Sequence, residues 1–247
     1  MLGASRQEYR RSVAKHFRRL WLLDLESALF AFYAGVWVLL VACLFYGSLR
    51  YQLFLSAVRP DPYLSVNDWS APLDDVFIHF DFARSIARGH PFEWSRGNGY
   101  SSGGTSLLYP FVLALGYPLG FRGGRIMEFA AIVACTCTFA TLLGSRRLFR
   151  SLPKWTAYFA PPIFLGVGAL DWSLMSGMEV AFFLSIWALV LVVWDDVLEN
   201  SKSSGRVETR GVAALGIANG LLVATRPEVF VIVAVFVVTV ALPLRQN

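Results

Sequence analysis

The chain has 247 residues and a formal net charge of +5, with 56% hydrophobic, 15% aromatic and only 16% charged residues. A soluble domain carries about a quarter charged residues, so this composition excludes an ordinary water-soluble protein and points to a lipid bilayer as partner. The pI near 9.3 does not signal nucleic acid, because the basic residues flank apolar runs instead of forming one soluble face.

The first 26 residues form a basic tail holding Arg6, Arg10, Arg11, Lys15, Arg18 and Arg19. The uncharged run Ser27 to Leu49 follows, 23 residues long. At about 1.5 Å per residue it matches a hydrocarbon core of about 30 Å. It is too long for a cleaved signal peptide and lacks an A-x-A-like site, so it reads as an anchor whose basic flank stays in the cytoplasm.

A long loop, about residues 51–125, comes next. Within it Ser70 to Arg88 predicts one helix: Ser70 as N-cap, Pro72 in the first turn, Phe77, Ile78, Phe82 and Ile86 on one apolar stripe, and Gly89 as the stop. The segment Gly89 to Pro110 is rich in Gly, Ser and aromatic residues. It reads either as a flexible loop or as a polar floor on which Trp94 and Tyr100 stack against sugar faces.

Ser106 to Phe121 is apolar but short and broken by Pro110, Gly116, Pro118 and Gly120, which predicts a juxtamembrane or re-entrant helix lying against the outer leaflet instead of crossing it. Five further runs read as spans: Phe129–Ser145, Trp155–Leu170, Val180–Trp194, Gly211–Thr225 and Val229–Leu244. The expectation is an all-α, polytopic membrane protein with six spans and both termini inside, residues 27–247 forming a single module. Asp195 to Arg210 reads as a solvated inner connector. Cys43, Cys135 and Cys137 lie in apolar runs without metal-ligand spacing and read as small core residues.

This topology gathers Asp74, Asp75, Asp171, Glu179 and Glu228 at the outer face. Asp74 and Asp75 have a plain explanation, since acids are favoured at a helix N-terminus by about 0.3–1 kcal/mol each. Two adjacent carboxylates beside a span also suit a general base, or together a divalent-cation site. Arg84 and Arg88, one turn apart, suit a phosphate, although Arg84 equally suits a pairing with Asp81. Arg226 and Glu228 lie between two spans and must be paired, hydrated or lining a cavity. His79 and His90 are single histidines, a type more often structural than catalytic.

Taken in order, "DDVFIHFDFARSIARGHPF", "GYSSGGTSLLYPFVLALG", "SGMEVAFF" and "ATRPEV" resemble the N-terminal membrane module of GT-C fold glycosyltransferases, in particular the bacterial branch of arabinofuranosyltransferases and related cell-envelope enzymes. The resemblance implies a GT-C-like transmembrane helix bundle with a long helical first extracytoplasmic loop, in the inner membrane. It implies sugar transfer from a polyprenyl-phosphate donor to an envelope glycan, lipid or protein acceptor on the extracytoplasmic side. Asp74 and Asp75 take the catalytic position, as base or as ligands of Mg or Mn. Arg84, Arg88, Tyr100, Glu179, Arg226 and Glu228 fall to substrate binding. Where the family has an Asn-Pro-Gly-Glu-like stretch this chain has "EWSRGNGYSS", and family members continue beyond the point matching Asn247. A non-catalytic or truncated membrane subunit is therefore the competing expectation. A small-solute transporter would require mid-membrane broken helices and an inverted repeat, which the sequence lacks.

Overall fold

The computed structural model of the chain describes residues 25–58, 71–204 and 208–244. The basic tail up to Arg19 and the N-cap expected at Ser70 lie outside the described residues. What is described is helical, with a single isolated bridge between Glu93 and Tyr100 and no strand. The main helices are α1 Leu25–Val58, α2 Asp75–Ala87, α3 Tyr109–Ala114, α4 Ile126–Leu148, α5 Ala160–Leu165, α6 Gly168–Met175, α7 Val180–Ser204, α8 Thr209–Thr225 and α9 Phe230–Leu244.

Among the described residues three stretches are long and apolar enough to cross a membrane: Leu25–Gly47, Gly123–Ser151 and Val180–Lys202. On α1 the residues Phe30, Ala34, Val38 and Val41 are buried while Leu29, Phe32, Leu39 and Leu44 are exposed. A helix apolar on all sides, with one face in the bundle, suits a lipid-facing position. The helices α8 and α9 have 17 and 15 residues, short of the roughly 20 a perpendicular crossing needs.

Contacts at the helix ends define the path. At one end, here called the basic end, Lys154 pairs with Glu26, Arg147 with Asp196, and Arg150 with Asp195 at 2.7 Å. At the other, the motif end, the Tyr46 hydroxyl donates to the Met175 carbonyl at 2.8 Å, and Gly177 abuts Met127 and Val76. α1 therefore runs from the basic end to the motif end and α4 runs back. The 154–175 segment returns, and α7, α8 and α9 complete six alternating legs. Because the returning segment intervenes, α4 and α7 lie parallel. They approach closely through small residues, a Cβ built on Gly144 standing 3.1 Å from that of Ala188.

Three expectations change. The run Trp155 to Leu170 is no single helix. It breaks into a 3₁₀ turn (Lys154–Phe159), α5 and α6, because Pro161 and Pro162 donate no backbone N–H and α5 closes at Gly166. Asp195, Asp196 and Glu199 belong to α7, not to a loop, and pair with Arg147 and Arg150. On α2 the buried side is Val76, His79, Phe80, Phe82 and Ala83, while Phe77 is 46% exposed, so the core-facing stripe is rotated from the expected one. Two local features agree with the reading. Gly89 stops α2 with φ +84°, and the run Ser106 to Phe121 holds only the six-residue α3, which at about 1.5 Å per residue spans about 9 Å and is too short to cross.

Candidate functional site

At the motif end four separate segments meet around one buried carboxylate. Glu179 stands at the start of α7 and is fully buried. The preceding Gly177 holds φ +93°, and a Cβ there would lie 2.9 Å from Met127 Sδ and 3.0 Å from Val76 Cγ1. Only glycine fits this turn without strain.

From α2, His79 Nε2 lies 3.0 Å from Glu179 Oε2, both side chains 1% exposed. From the turn after α8, Arg226 Nη2 lies 2.8 Å from Glu179 Oε1, and Nη1 of the same side chain lies 3.2 Å from Glu228 Oε1. The two carboxylate oxygens of Glu179 thus each face one nitrogen at ion-pair distance. A nitrogen facing a carboxylate so closely carries its proton, which leaves His79 Nδ1 buried without a partner among the described residues. Burial alone pushes the Glu179 carboxyl up. The contact with His79, aided by Arg226, outweighs that and holds it below the usual glutamate range.

The fourth segment is α3. The Tyr109 hydroxyl donates to the Gly177 carbonyl at 2.9 Å, and its ring stands edge-on to His79 with centroids 5.3 Å apart. Burial, then the negative charge of Glu179, lifts this phenol well above its ordinary range, so it stays a proton donor. The N–H groups of Leu107 and Leu108 donate to the Ala224 carbonyl at 3.1 and 3.0 Å, tying the segment before α3 to the one carrying Arg226.

Asp74 and Asp75 are exposed at the N-terminus of α2. Successive helical residues are about 100° apart, so the two side chains diverge. Asp75 lies one turn before His79 on the same side, and Asp74 on the side carrying Phe77, Asp81 and Arg88. Among the described residues no group of three or more His, Cys, Asp or Glu side chains gathers.

Arg84 pairs with Asp81 at 2.9 Å. Asp81 also accepts the Trp94 indole N–H at 3.1 Å, and Ser85 donates to the Trp94 carbonyl. The loop after α2 is thus docked on that helix by Trp94. Tyr100 is 80% exposed on its rim, near Phe92. The geometry brings together Glu179, Arg226 and Glu228, and separates them from Arg84, Arg88 and Tyr100. Sequence reasoning weighed His79 only as a histidine of a type more often structural than catalytic, and it passed over Tyr109. The available signal was their place inside the motif segments, "FIHF" and "SLLYP".

On the other side of α2 from His79 lies a groove of about 1010 Å³, bounded by α2, α3 and the turn leading into α4. Its polar lining is Arg84, Arg88, Arg122, Asp81 and Tyr117, and Phe77, Phe111 and Leu115 supply apolar walls. Compared with protein-family profiles, with curated proteins and with solved structures, the chain finds no significant match.

Proposed function

We propose that this chain is an integral membrane glycosyltransferase that moves a sugar from a polyprenyl-phosphate donor to an envelope glycan, lipid or protein acceptor. In this reading the bundle sits in the bacterial inner membrane, the basic end faces the cytoplasm and the motif end is extracytoplasmic. The observation that carries it is convergence. Four segments far apart in sequence, those bearing His79, Tyr109, Glu179 and Arg226, meet at one end of the bundle beside Asp75 and an arginine-lined groove.

The chemistry assigns a base to Asp74 or Asp75. The carboxylate takes the proton of an acceptor hydroxyl, whose oxygen attacks the anomeric carbon. The bond from that carbon to the phosphate oxygen breaks, and the polyprenyl phosphate leaves with the electron pair, inverting the centre. Such a leaving group needs fixed positive charge, which the groove arginines supply. His79, Glu179 and Tyr109 hold α2 against α7 and so set where Asp75 stands.

Incubating membranes with labelled polyprenyl-phosphate sugars tests this reading. Asp75→Asn, Asp74→Asn or both should lose transfer by about 10²–10⁴-fold, the range of general-base catalysis, with unchanged accumulation of the protein. Wild-type rates in both variants overturn the assignment of the base, and absence of transfer by the wild-type chain overturns the activity. The exposure of both aspartates favours one second reading, a membrane subunit of a glycan-assembly complex that is not itself catalytic, because a base open to water needs a further wall. Transfer that appears only on co-expression with a partner polypeptide selects that reading.

A further inference from the structure

In the groove beside α2 basic side chains outnumber acidic ones. At the basic end Arg147, Arg150 and Lys154 each face a carboxylate, and at the buried network Arg226 is held between Glu179 and Glu228. In the groove three arginines share one acid, and Asp81 is already engaged by Arg84 and Trp94. Arg88 has no side-chain partner among the described residues. Arg122 donates its Nε–H to the Tyr117 carbonyl at 3.3 Å, which leaves its two terminal nitrogens unused there. Two exposed guanidinium groups facing one cavity lack their natural counterpart, an oxyanion able to take several N–H donors at once.

The walls say what carries that anion. Phe77, Phe111 and Leu115 are 46%, 36% and 61% exposed, an apolar lining that water alone would not favour. The floor includes Gly123, where the membrane-length stretch Gly123–Ser151 begins. The arginines therefore stand at the boundary where hydrocarbon ends and headgroups begin, with apolar side chains beside them.

We infer that this groove binds the phosphate of a membrane lipid, with Arg88 and Arg122 as the anion ligands and the hydrocarbon chain lying against Phe77, Phe111 and Leu115. This deepens the transferase reading, a polyprenyl phosphate being such a lipid, and it selects Arg88 and Arg122 over Arg84 and Arg226 as the phosphate-binding pair.

The test titrates the purified full chain in non-ionic detergent with three probes: farnesyl phosphate, farnesol and inorganic phosphate. Farnesyl phosphate should bind saturably and at least about tenfold more tightly than either of the others. The double variant Arg88→Ala/Arg122→Ala should lose about a hundredfold or more for farnesyl phosphate, since each charge-assisted contact is worth about tenfold or more. Arg125→Ala, whose side chain pairs with Glu128 outside the groove, should bind as wild type does. An unchanged double variant with wild-type melting behaviour overturns the assignment, and so does equal affinity for farnesol or for inorganic phosphate. The two readings fail separately. Absence of transfer by wild-type membranes sinks the transferase and leaves lipid-phosphate binding intact, whereas an arginine double variant with wild-type KM for the polyprenyl donor sinks this inference alone.

Discussion

The two ends of this bundle both carry ion pairs, and they are built on opposite principles. At the basic end the pairs are solvent-exposed, with Arg147 47% and Asp196 41% accessible. They join α4 to α7 through long side chains that water can replace. At the motif end Glu179 and His79 are each 1% exposed, with no water to take over if one partner is lost. The first arrangement tolerates change and the second does not. Removing one partner of a buried pair leaves an uncompensated charge costing about 3–5 kcal/mol, whereas an exposed pair contributes about 0–1 kcal/mol. A bundle held together only for stability would do as well with leucines around position 179. Keeping a buried carboxylate there fixes the relative placement of α2, α3, α7 and the turn after α8.

The sharpest way to break the contrast is Glu179→Ala, expected to destabilise the protein by about 3–5 kcal/mol, read as loss of monodisperse protein after detergent extraction or as a large fall in Tm. Its pH signature is separate. The folded-state pKa of Glu179 lies below its ordinary 4.5, so its stabilising contribution is present above that value and is lost as pH falls below it. Wild type should therefore lose stability on acidification below about pH 4.5 more steeply than Glu179→Gln does.

Next in size is Gly177→Ala, which forces a side chain into a left-handed turn against Met127 and Val76. A cost of about 1–3 kcal/mol should appear in thermal unfolding, and a variant as stable as wild type would show that the turn has another solution. The smallest effect belongs to the basic end. Arg147→Ala should shift stability by about 0.2–1 kcal/mol, and added salt should erase the difference. A loss there as large as that of Glu179→Ala would remove the distinction between the ends.

Much of the framework was legible before any coordinates. Uncharged apolar runs predicted the existence of α1, α4 and α7, since hydrophobic length is a local property, but α1 and α7 continue nine and ten residues past the predicted ends. Gly89 as a stop and the short helix within Ser106 to Phe121 followed from turn chemistry. The segment from Trp155 to Leu170 was misread because hydropathy counts apolar residues and is blind to Pro161 and Pro162 breaking the backbone ladder. At the site, Glu179, Arg226 and Glu228 stood out as charges beside apolar runs, the pattern that demands a partner. The partner itself did not stand out. His79 sits on a helix whose apolar residues surround it almost completely, so periodicity alone predicted the wrong inward stripe.

The amino-acid sequence by itself determined that this protein is helical, apolar enough for a bilayer and asymmetric in charge, because those properties reside in single residues and short windows. Only the tertiary structure decided which charges meet. Glu179 lies a hundred residues from His79 and 47 from Arg226 in the chain, and nothing local relates them. Their pairing follows from the alternating legs that return distant motifs to one end of the bundle, where a buried carboxylate must find its cations or pay the desolvation cost of lacking them.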